Sequence, residues 1–270
     1  MKYRMLLTDM DDTLLNDNWE ISQDNLFAMK RLAQSGVQVV LCSGRPTASM
    51  AKYAHQLFPD SKDNQYFISF NGASINDIAT GKEIFRKGVP VDLAKEVAAL
   101  ATEEGVTIQS YKGQKFYVNE SNDRAELYSR ASGMEYEAVG SLVDYIDDEP
   151  LKLLINAPEE DLDRIYPKAK AIAEGRLYMS YSKPIYLEFL NKEVNKGFAM
   201  LELAKMLNIS KEEIVAVGDS FNDREMIEAA GMGVAVANAR DAVKDIADYV
   251  TTRSHSESAL AEVIQRFWDL

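Results

Sequence analysis

The stretch YRMLLTDMDDTLL, residues 3–15, decides the fold. Its first half is a near-continuous apolar run that gives way abruptly to Asp9, Asp11, Asp12 and Thr13. A half-exposed strand alternates apolar and polar side chains, whereas a strand covered on both faces of a parallel sheet does not. YRMLLTD (3–9) therefore reads as a buried strand whose end carries carboxylates. Two similar runs follow, VQVVLCS (37–43) and YFISF (66–70), which end in Ser43-Gly44-Arg45 and Asn71-Gly72. Between the first two, ISQDNLFAMKRLAQSG sets Leu26, Met29, Leu32 and Ala33 at helical spacing. Ser22 is its N-cap, Ile21 and Leu26 a hydrophobic staple, and Gly36 a suitable stop. Pro46 opens a second helix that runs to Phe58.

The C-terminal part has the same grammar. Residues 195–207 read as a helix, Ser210 and Glu213 as a capping box, and IVAVGD (214–219) as a strand. NDREMIEAAG is a short helix, MGVAVA (232–237) and YVTT (249–252) are further strands, and a last helix is expected from Ser254, burying Leu260, Val263, Ile264 and Phe267. The middle differs. KFYVN, LKLLINA, RLYMSYS and IYLEFL look like half-exposed strands, with helices at 91–104, 123–132 and 159–173. This predicts an α/β fold: a three-layer, Rossmann-like, doubly wound parallel sheet over residues 1–82 and 189–270, interrupted by an α+β domain over 83–188 with antiparallel pairing.

Composition bounds the function. The 270 residues carry a formal net charge of −13, which disfavours nucleic acid and anionic membrane surfaces as partners. A single cysteine, Cys42, lies in an apolar run and reads as a buried thiol. The two histidines, His55 and His255, lack a metal-ligand spacing. The first residues do not form a signal peptide and no apolar run is long enough to span a bilayer, so a cytoplasmic protein is expected. No long apolar stripe is left over, so a monomer is the default, with a weak dimer as the variant. Tyr111, Tyr117, Tyr178, Tyr181 and Tyr186 read as core or cross-strand residues.

In an open parallel sheet, ligands bind beyond the C-terminal strand ends. The polar residues there are Asp9, Asp11, Asp12 and Thr13; Ser43, Gly44 and Arg45; Asn71 and Gly72; and Asp219, Asn222 and Asp223. Two like charges about 4 Å apart cost on the order of 4 kcal/mol at an effective dielectric near 20. Lys196 alone cannot offset several such pairs. A divalent cation can, and all-oxygen ligands suit Mg²⁺.

The segments TDMDDTLL, CSGRP, VNKG and GDSFND occur in that order and resemble the four motifs of the haloacid dehalogenase (HAD) superfamily. The DDTLL start, the SFNGA segment and the length of the insert are similar to its Cof-type branch (subclass IIB), which includes sugar-phosphate phosphatases. The resemblance implies that residues 83–188 are a C2B-type cap that selects the substrate. It implies a Mg²⁺-dependent phosphatase acting on a small phosphorylated metabolite, most readily a sugar phosphate, through an aspartyl phosphate. Carried over by position, Asp9 is the nucleophile and a metal ligand, and Asp11 is the general acid and base, with its backbone carbonyl on the metal. Ser43, Gly44, Lys196, Asn222 and the Met10 amide hold the phosphoryl group. Asp219 is the main further metal ligand, with Asp223 as ligand or support. Asp12, where the wider family commonly has Gly, is read as loop material outside the metal site. Arg45 is open between phosphate binding and a structural ion pair. Two other activities fit the same motifs: a phosphomutase, which would require a bisphosphate activator, and a non-catalytic sensor of phosphorylated ligands, which would have no use for a nucleophile.

Overall fold

The computed structural model describes residues 2–59 and 65–270. In chain order the first elements are β1 (Met5–Thr8), α1 (Gln23–Gln34), β2 (Gln38–Cys42), α2 (Thr47–Leu57), β3 (Tyr66–Ser69), β4 (Ser74–Asp77) and β5 (Glu83–Arg86). Next come α3 (Val91–Glu103), β6 (Thr107–Lys112), β7 (Lys115–Val118), α4 (Asp123–Ser132), β8 (Glu135–Ala138), α5 (Leu142–Tyr145), β9 (Leu153–Asn156), α6 (Glu159–Ala173), β10 (Leu177–Lys183) and β11 (Tyr186–Asn191). The chain closes with α7 (Lys196–Met206), β12 (Ile214–Gly218), α8 (Arg224–Ala229), β13 (Met232–Ala235), α9 (Asp241–Lys244), β14 (Tyr249–Val250) and α10 (Ala259–Trp268).

Two compact units divide these elements. One comprises Met1–Arg45, Met50–Phe85 and Asn195–Leu270; the other comprises Pro46–Ser49 and Arg86–Val194. The first holds an eight-stranded sheet in the order β14-β13-β12-β1-β2-β3-β4-β5. From β14 to β3 every pairing is parallel. β4 then pairs antiparallel with β3, so the sheet is not parallel throughout as its apolar runs predict. SIND carries too little apolar character to read as a strand, and it follows β3 through a short 3₁₀ turn at Phe70–Gly72. Every residue of β1 and β12 is buried, which requires cover on both faces. α1 packs on α10, and α7 on α8, to supply it.

The chain winds from β1 through β2 to β3 on one side and from β12 through β13 to β14 on the other. β1 therefore stands at the point where strand order reverses, the place where such sheets bind ligands. α1 begins as its sequence predicts, with Ser22 accepting from the Asn25 amide, and Gly36 follows its end at φ +91°. The last helix begins later than predicted. Ser254 and Glu257 do form a capping box, but it closes a 3₁₀ turn at His255–Glu257, after which Ser258 takes positive φ and α10 starts at Ala259. In α10, Trp268 is buried while Phe267 is only partly so. The capping box Ser210–Glu213 likewise closes a 3₁₀ turn.

The second unit holds a six-stranded sheet, β10-β11-β9-β6-β7-β8. Its pairings are antiparallel except β7 with β8. α3 packs against β6 and β9, and α6 against β10. Among the described residues, no helix is long and apolar enough to cross a membrane.

Candidate active site

The carboxylates after β1 are presented by a tight turn. The Met10 carbonyl accepts from the Leu14 amide at 3.0 Å and the Leu15 amide at 2.8 Å, so the chain doubles back immediately after Asp9. Asp12 takes φ +56° at the tip, a left-handed conformation that Asp tolerates better than most residues. Its side chain is 76% exposed. Asp12 stands outside the carboxylate cluster described below.

Lys196 is the first residue of α7, whose N-cap Asn195 accepts from the Phe198 amide at 2.7 Å. The Lys196 side chain is fully buried and its ammonium is ion-paired with both Asp9 and Asp223, the latter at 2.5 Å. Asp223 is itself fixed from the other side: its second oxygen accepts from the Asp219 amide at 2.9 Å and the Ser220 amide at 3.0 Å. That closure depends on Gly218, where a Cβ would stand 2.5 Å from the Asp223 Cβ. Asp219, at the end of β12, accepts from the Thr13 hydroxyl at 2.7 Å.

One carboxylate oxygen each from Asp9, Asp219 and Asp223 lie within 4.8 Å of one another. Burial pushes the Asp9 carboxyl well above the usual range; Lys196 opposes this, and Asp223, Asp219 and Asp11 add to it. Burial and then Asp223 raise Asp219 to about 7. Burial works against the Lys196 ammonium too, but Asp223 and Asp9 outweigh it and hold its pKa well above the usual lysine value. The cluster is thus short of positive charge: one lysine serves two carboxylates, and a third faces Thr13. Its oxygen-only donors fit a hard divalent cation, which would supply the missing charge. Two oxygens of Asp223 are already committed to Lys196 and to amides, so Asp9 and Asp219 carry more of the free coordinating capacity.

At the end of β2, the Ser43 hydroxyl accepts from the Arg45 amide at 3.2 Å. Gly44 packs against Asn71: a Cβ on Gly44 would lie 2.9 Å from the Asn71 Oδ1. The Asn222 side-chain amide donates to that same Oδ1 at 3.1 Å, tying the loop after β12 to the turn after β3. All nine predicted site residues thus belong to the first unit, at the ends of β1, β2 and β12 and the start of α7.

Two contributors, Thr13 and Asn71, have no role assigned from the sequence, and for a third, Arg45, two roles stand open. Thr13 anchors Asp219, and Asn71 joins Asn222 to Gly44. Arg45 forms a bidentate pair with Asp11, Nε to Oδ2 at 2.9 Å and a terminal nitrogen to Oδ1 at 2.6 Å. Its guanidinium also lies over the rings of Trp19 and Tyr53, at 4.9 and 5.5 Å from their centroids. The ion-pair alternative for Arg45 is the one observed. The signal available for Thr13 and Asn71 was only their position at strand ends.

Comparison with known proteins places this arrangement. The model of the haloacid dehalogenase-like hydrolase family matches residues 6–264. The protein YxeH of Bacillus subtilis is 30% identical to the chain, with 97% of both covered. The B. subtilis 5-amino-6-(5-phospho-D-ribitylamino)uracil phosphatase YitU is 27% identical, with 98% of both covered. The crystal structure of a Thermotoga maritima protein superposes with a TM-score of 0.88 at 32% identity, covering 98% of this chain and 97% of that one. The chain belongs to the haloacid dehalogenase-like hydrolases, in their Cof-type branch.

Proposed function

We propose that the protein is a Mg²⁺-dependent phosphomonoesterase of small phosphorylated metabolites, sugar phosphates first among them, working through a phosphoryl-aspartate at Asp9. The observation that carries this reading is the fully buried Lys196 held between Asp9 and Asp223 beside Asp219. A structural ion pair needs one carboxylate per lysine; a site for a phosphoryl group needs a nucleophile, a fixed cation and room for a second cation. Mg²⁺ held by Asp9, Asp219 and the Asp11 carbonyl would neutralise charge on the phosphoryl oxygens.

The chain's own residues divide the remaining work. Asp9 attacks phosphorus through one carboxylate oxygen, and the P–O bond to the leaving alcohol breaks. Lys196 offsets charge on Asp9 and the phosphoryl group. Ser43, the Gly44 and Met10 amides and Asn222 orient the phosphoryl oxygens. Asp11 gives a proton to the departing alkoxide and then takes one from the water that cleaves the acyl phosphate, a role worth roughly 10²–10⁴-fold. Arg45 sets the Asp11 carboxylate in place through hydrogen bonds to both of its oxygens. Residues 83–188 act as the cap that selects the alcohol. The name of the relative YitU, with its phosphate on a ribityl chain, supports a polyhydroxylated substrate. The protein acts in the cytoplasm as a monomer.

The test is phosphate release from a panel of sugar, sugar-alcohol and nucleoside monophosphates, with Mg²⁺ and with EDTA. Release that requires Mg²⁺ and disappears in Asp9→Asn is expected. No release from any ester by folded, Mg²⁺-bound protein would sink the proposal.

A further inference from the structure

Trp19 holds a backbone conformation that aromatic residues rarely take, with φ +60°. Such an outlier persists only where its surroundings over-determine it. They do so here. Leu15 and Ile21 are buried and pair as the base of a small hairpin. Above them the Asn16 amide donates to the Glu20 carbonyl at 3.0 Å, and the Trp19 amide donates to the Asn16 carbonyl at 2.8 Å. The Asn16 Oδ1 accepts from the Asn18 and Glu20 amides. The Trp19 carbonyl accepts from the hydroxyl of buried Tyr53 at 3.0 Å.

Core packing does not account for the indole. Trp19 is 55% exposed, and among the described residues the apolar cluster of the first unit does not include it. The ring lies against Arg45 instead, whose guanidinium stands 4.9 Å from its centroid and 5.5 Å from that of Tyr53. The same guanidinium donates to both oxygens of Asp11. Trp19, Tyr53, Arg45 and Asp11 all belong to the first unit.

The Asp11 side chain is 40% exposed and that of Arg45 16%. An ion pair with one partner this open to water is loosely held by its charges alone. Arginine is also a long side chain with many rotamers to lose. A guanidinium covered by an aromatic ring gains a cation–π attraction and has fewer places to go. Arg45 can fix Asp11 only if Arg45 is itself fixed, and the two rings fix it.

We propose that Trp19 is a positioning residue for proton transfer: with Tyr53 it holds the Arg45 guanidinium, and through it the Asp11 carboxyl, where the leaving oxygen takes its proton. This rests on the phosphomonoesterase reading above. In that step an Asp9 oxygen bonds to phosphorus, the P–O bond to the alcohol breaks with its electron pair on oxygen, and the Asp11 proton passes to that oxygen. A sugar alkoxide needs the proton, whereas p-nitrophenolate leaves without it. Loss of Trp19 therefore weighs more on a sugar phosphate than on an aryl phosphate. kcat/KM isolates this step from the later attack of water.

kcat/KM is measured on glucose 6-phosphate and p-nitrophenyl phosphate for wild type, Trp19→Asn, Trp19→Phe, Arg45→Ala and the Trp19→Asn/Arg45→Ala double variant, and folding is followed by circular dichroism. Asn tolerates positive φ, so the first variant removes the ring and keeps the turn. A catalytic group misplaced by a small distance can cost about 10²-fold, and Trp19→Asn is expected to lose about tenfold more on the sugar phosphate than on the aryl ester. Trp19→Phe, which keeps a ring over Arg45, should retain most of the wild-type activity on the sugar phosphate. In the Arg45→Ala background, Trp19→Asn should cost nothing further, because it acts through Arg45. Wild-type protein inactive on both esters would refute the phosphomonoesterase reading itself. With wild type active on both, equal losses on the two esters, no loss at all, or a Trp19→Asn loss that persists undiminished without Arg45 would leave that reading intact and overturn the positioning role.

Discussion

Replacing Lys196 by Met removes the only side-chain cation in contact with Asp9 and Asp223 among the described residues and keeps most of the side chain's volume. Lys196 has no exposed surface and the Asp223 side chain none either, so solvent cannot take over its task. Breaking a buried pair by removing one partner costs about 3–5 kcal/mol, because the other charge stays behind. Here two stay behind, within 4.8 Å of each other and of Asp219. At an effective dielectric of 20, each such pair adds on the order of 4 kcal/mol of repulsion if fully ionised. Protonation limits the damage. Burial and the neighbouring carboxylates hold the Asp9 pKa above that of the unfolded chain, so Asp9 takes up a proton more readily in the folded protein. A raised acid gains folded-state stability as pH falls and loses it as pH rises. Lys196→Met in EDTA is therefore expected to unfold about 3–5 kcal/mol more easily than wild type at pH 8, with a smaller deficit at pH 5. Adding Asp223→Asn to Lys196→Met should recover part of the loss at pH 8. Urea unfolding followed by circular dichroism reads all three proteins. A deficit under about 1 kcal/mol would refute the reasoning, being the size expected of an exposed pair. So would a deficit independent of pH or one untouched by Asp223→Asn.

Three more predictions follow from the same geometry. In EDTA, Asp219 should weaken the fold progressively between the ordinary aspartate value near 4 and about 7, because its folded pKa is the higher one; saturating Mg²⁺ should therefore raise the melting temperature more at pH 8 than at pH 5, and an equal rise at both would contradict the charge deficit. Thr13→Val removes the 2.7 Å hydrogen bond that orients Asp219, and calorimetry should show Mg²⁺ affinity falling by about tenfold or more; unchanged affinity would remove Thr13 from the site. Gly218→Ala would press a methyl group to within 2.5 Å of the Asp223 Cβ, costing roughly 1–3 kcal/mol and much of the phosphate-releasing activity; a variant as stable and as active as wild type would show that Asp223 can shift freely.

The parallel strands were legible because a strand covered on both faces has little choice but to be apolar, and β1, β2 and β12 are. The change from apolar run to Asp, Ser or Gly marks where each strand leaves the core, and that is where the candidate site gathers. What was hidden lacks such a signature. β4 has a polar sequence, and β6 (TIQSYK) buries the polar Gln109 and Ser110, so neither strand shows an apolar run. Ser254 and Glu257 signal a helix start correctly in kind but cap only a single turn, since Ser258 breaks the path with positive φ before α10 begins. The pairing of Thr13 with Asp219 spans 206 positions and that of Arg45 with Asp11 spans 34, and neither spacing has local meaning. Asp9 and Lys196, 187 positions apart, were joined only through the resemblance of ordered motifs.

The central claim is that the phosphoryl group passes through Asp9. Asp11→Asn retains the nucleophile but loses the group that protonates the alkoxide and activates water, so an ester whose leaving group needs no proton should form an acyl phosphate that persists. The variant is mixed with p-nitrophenyl phosphate and Mg²⁺, quenched in acid within the first turnover, digested and mapped by mass spectrometry. The account predicts one phosphoryl group on the peptide that contains Asp9, absent when Asp9 is also replaced by Asn. A phosphoryl group on another residue, or p-nitrophenol released at the wild-type rate with Asp9 unmodified, would contradict it.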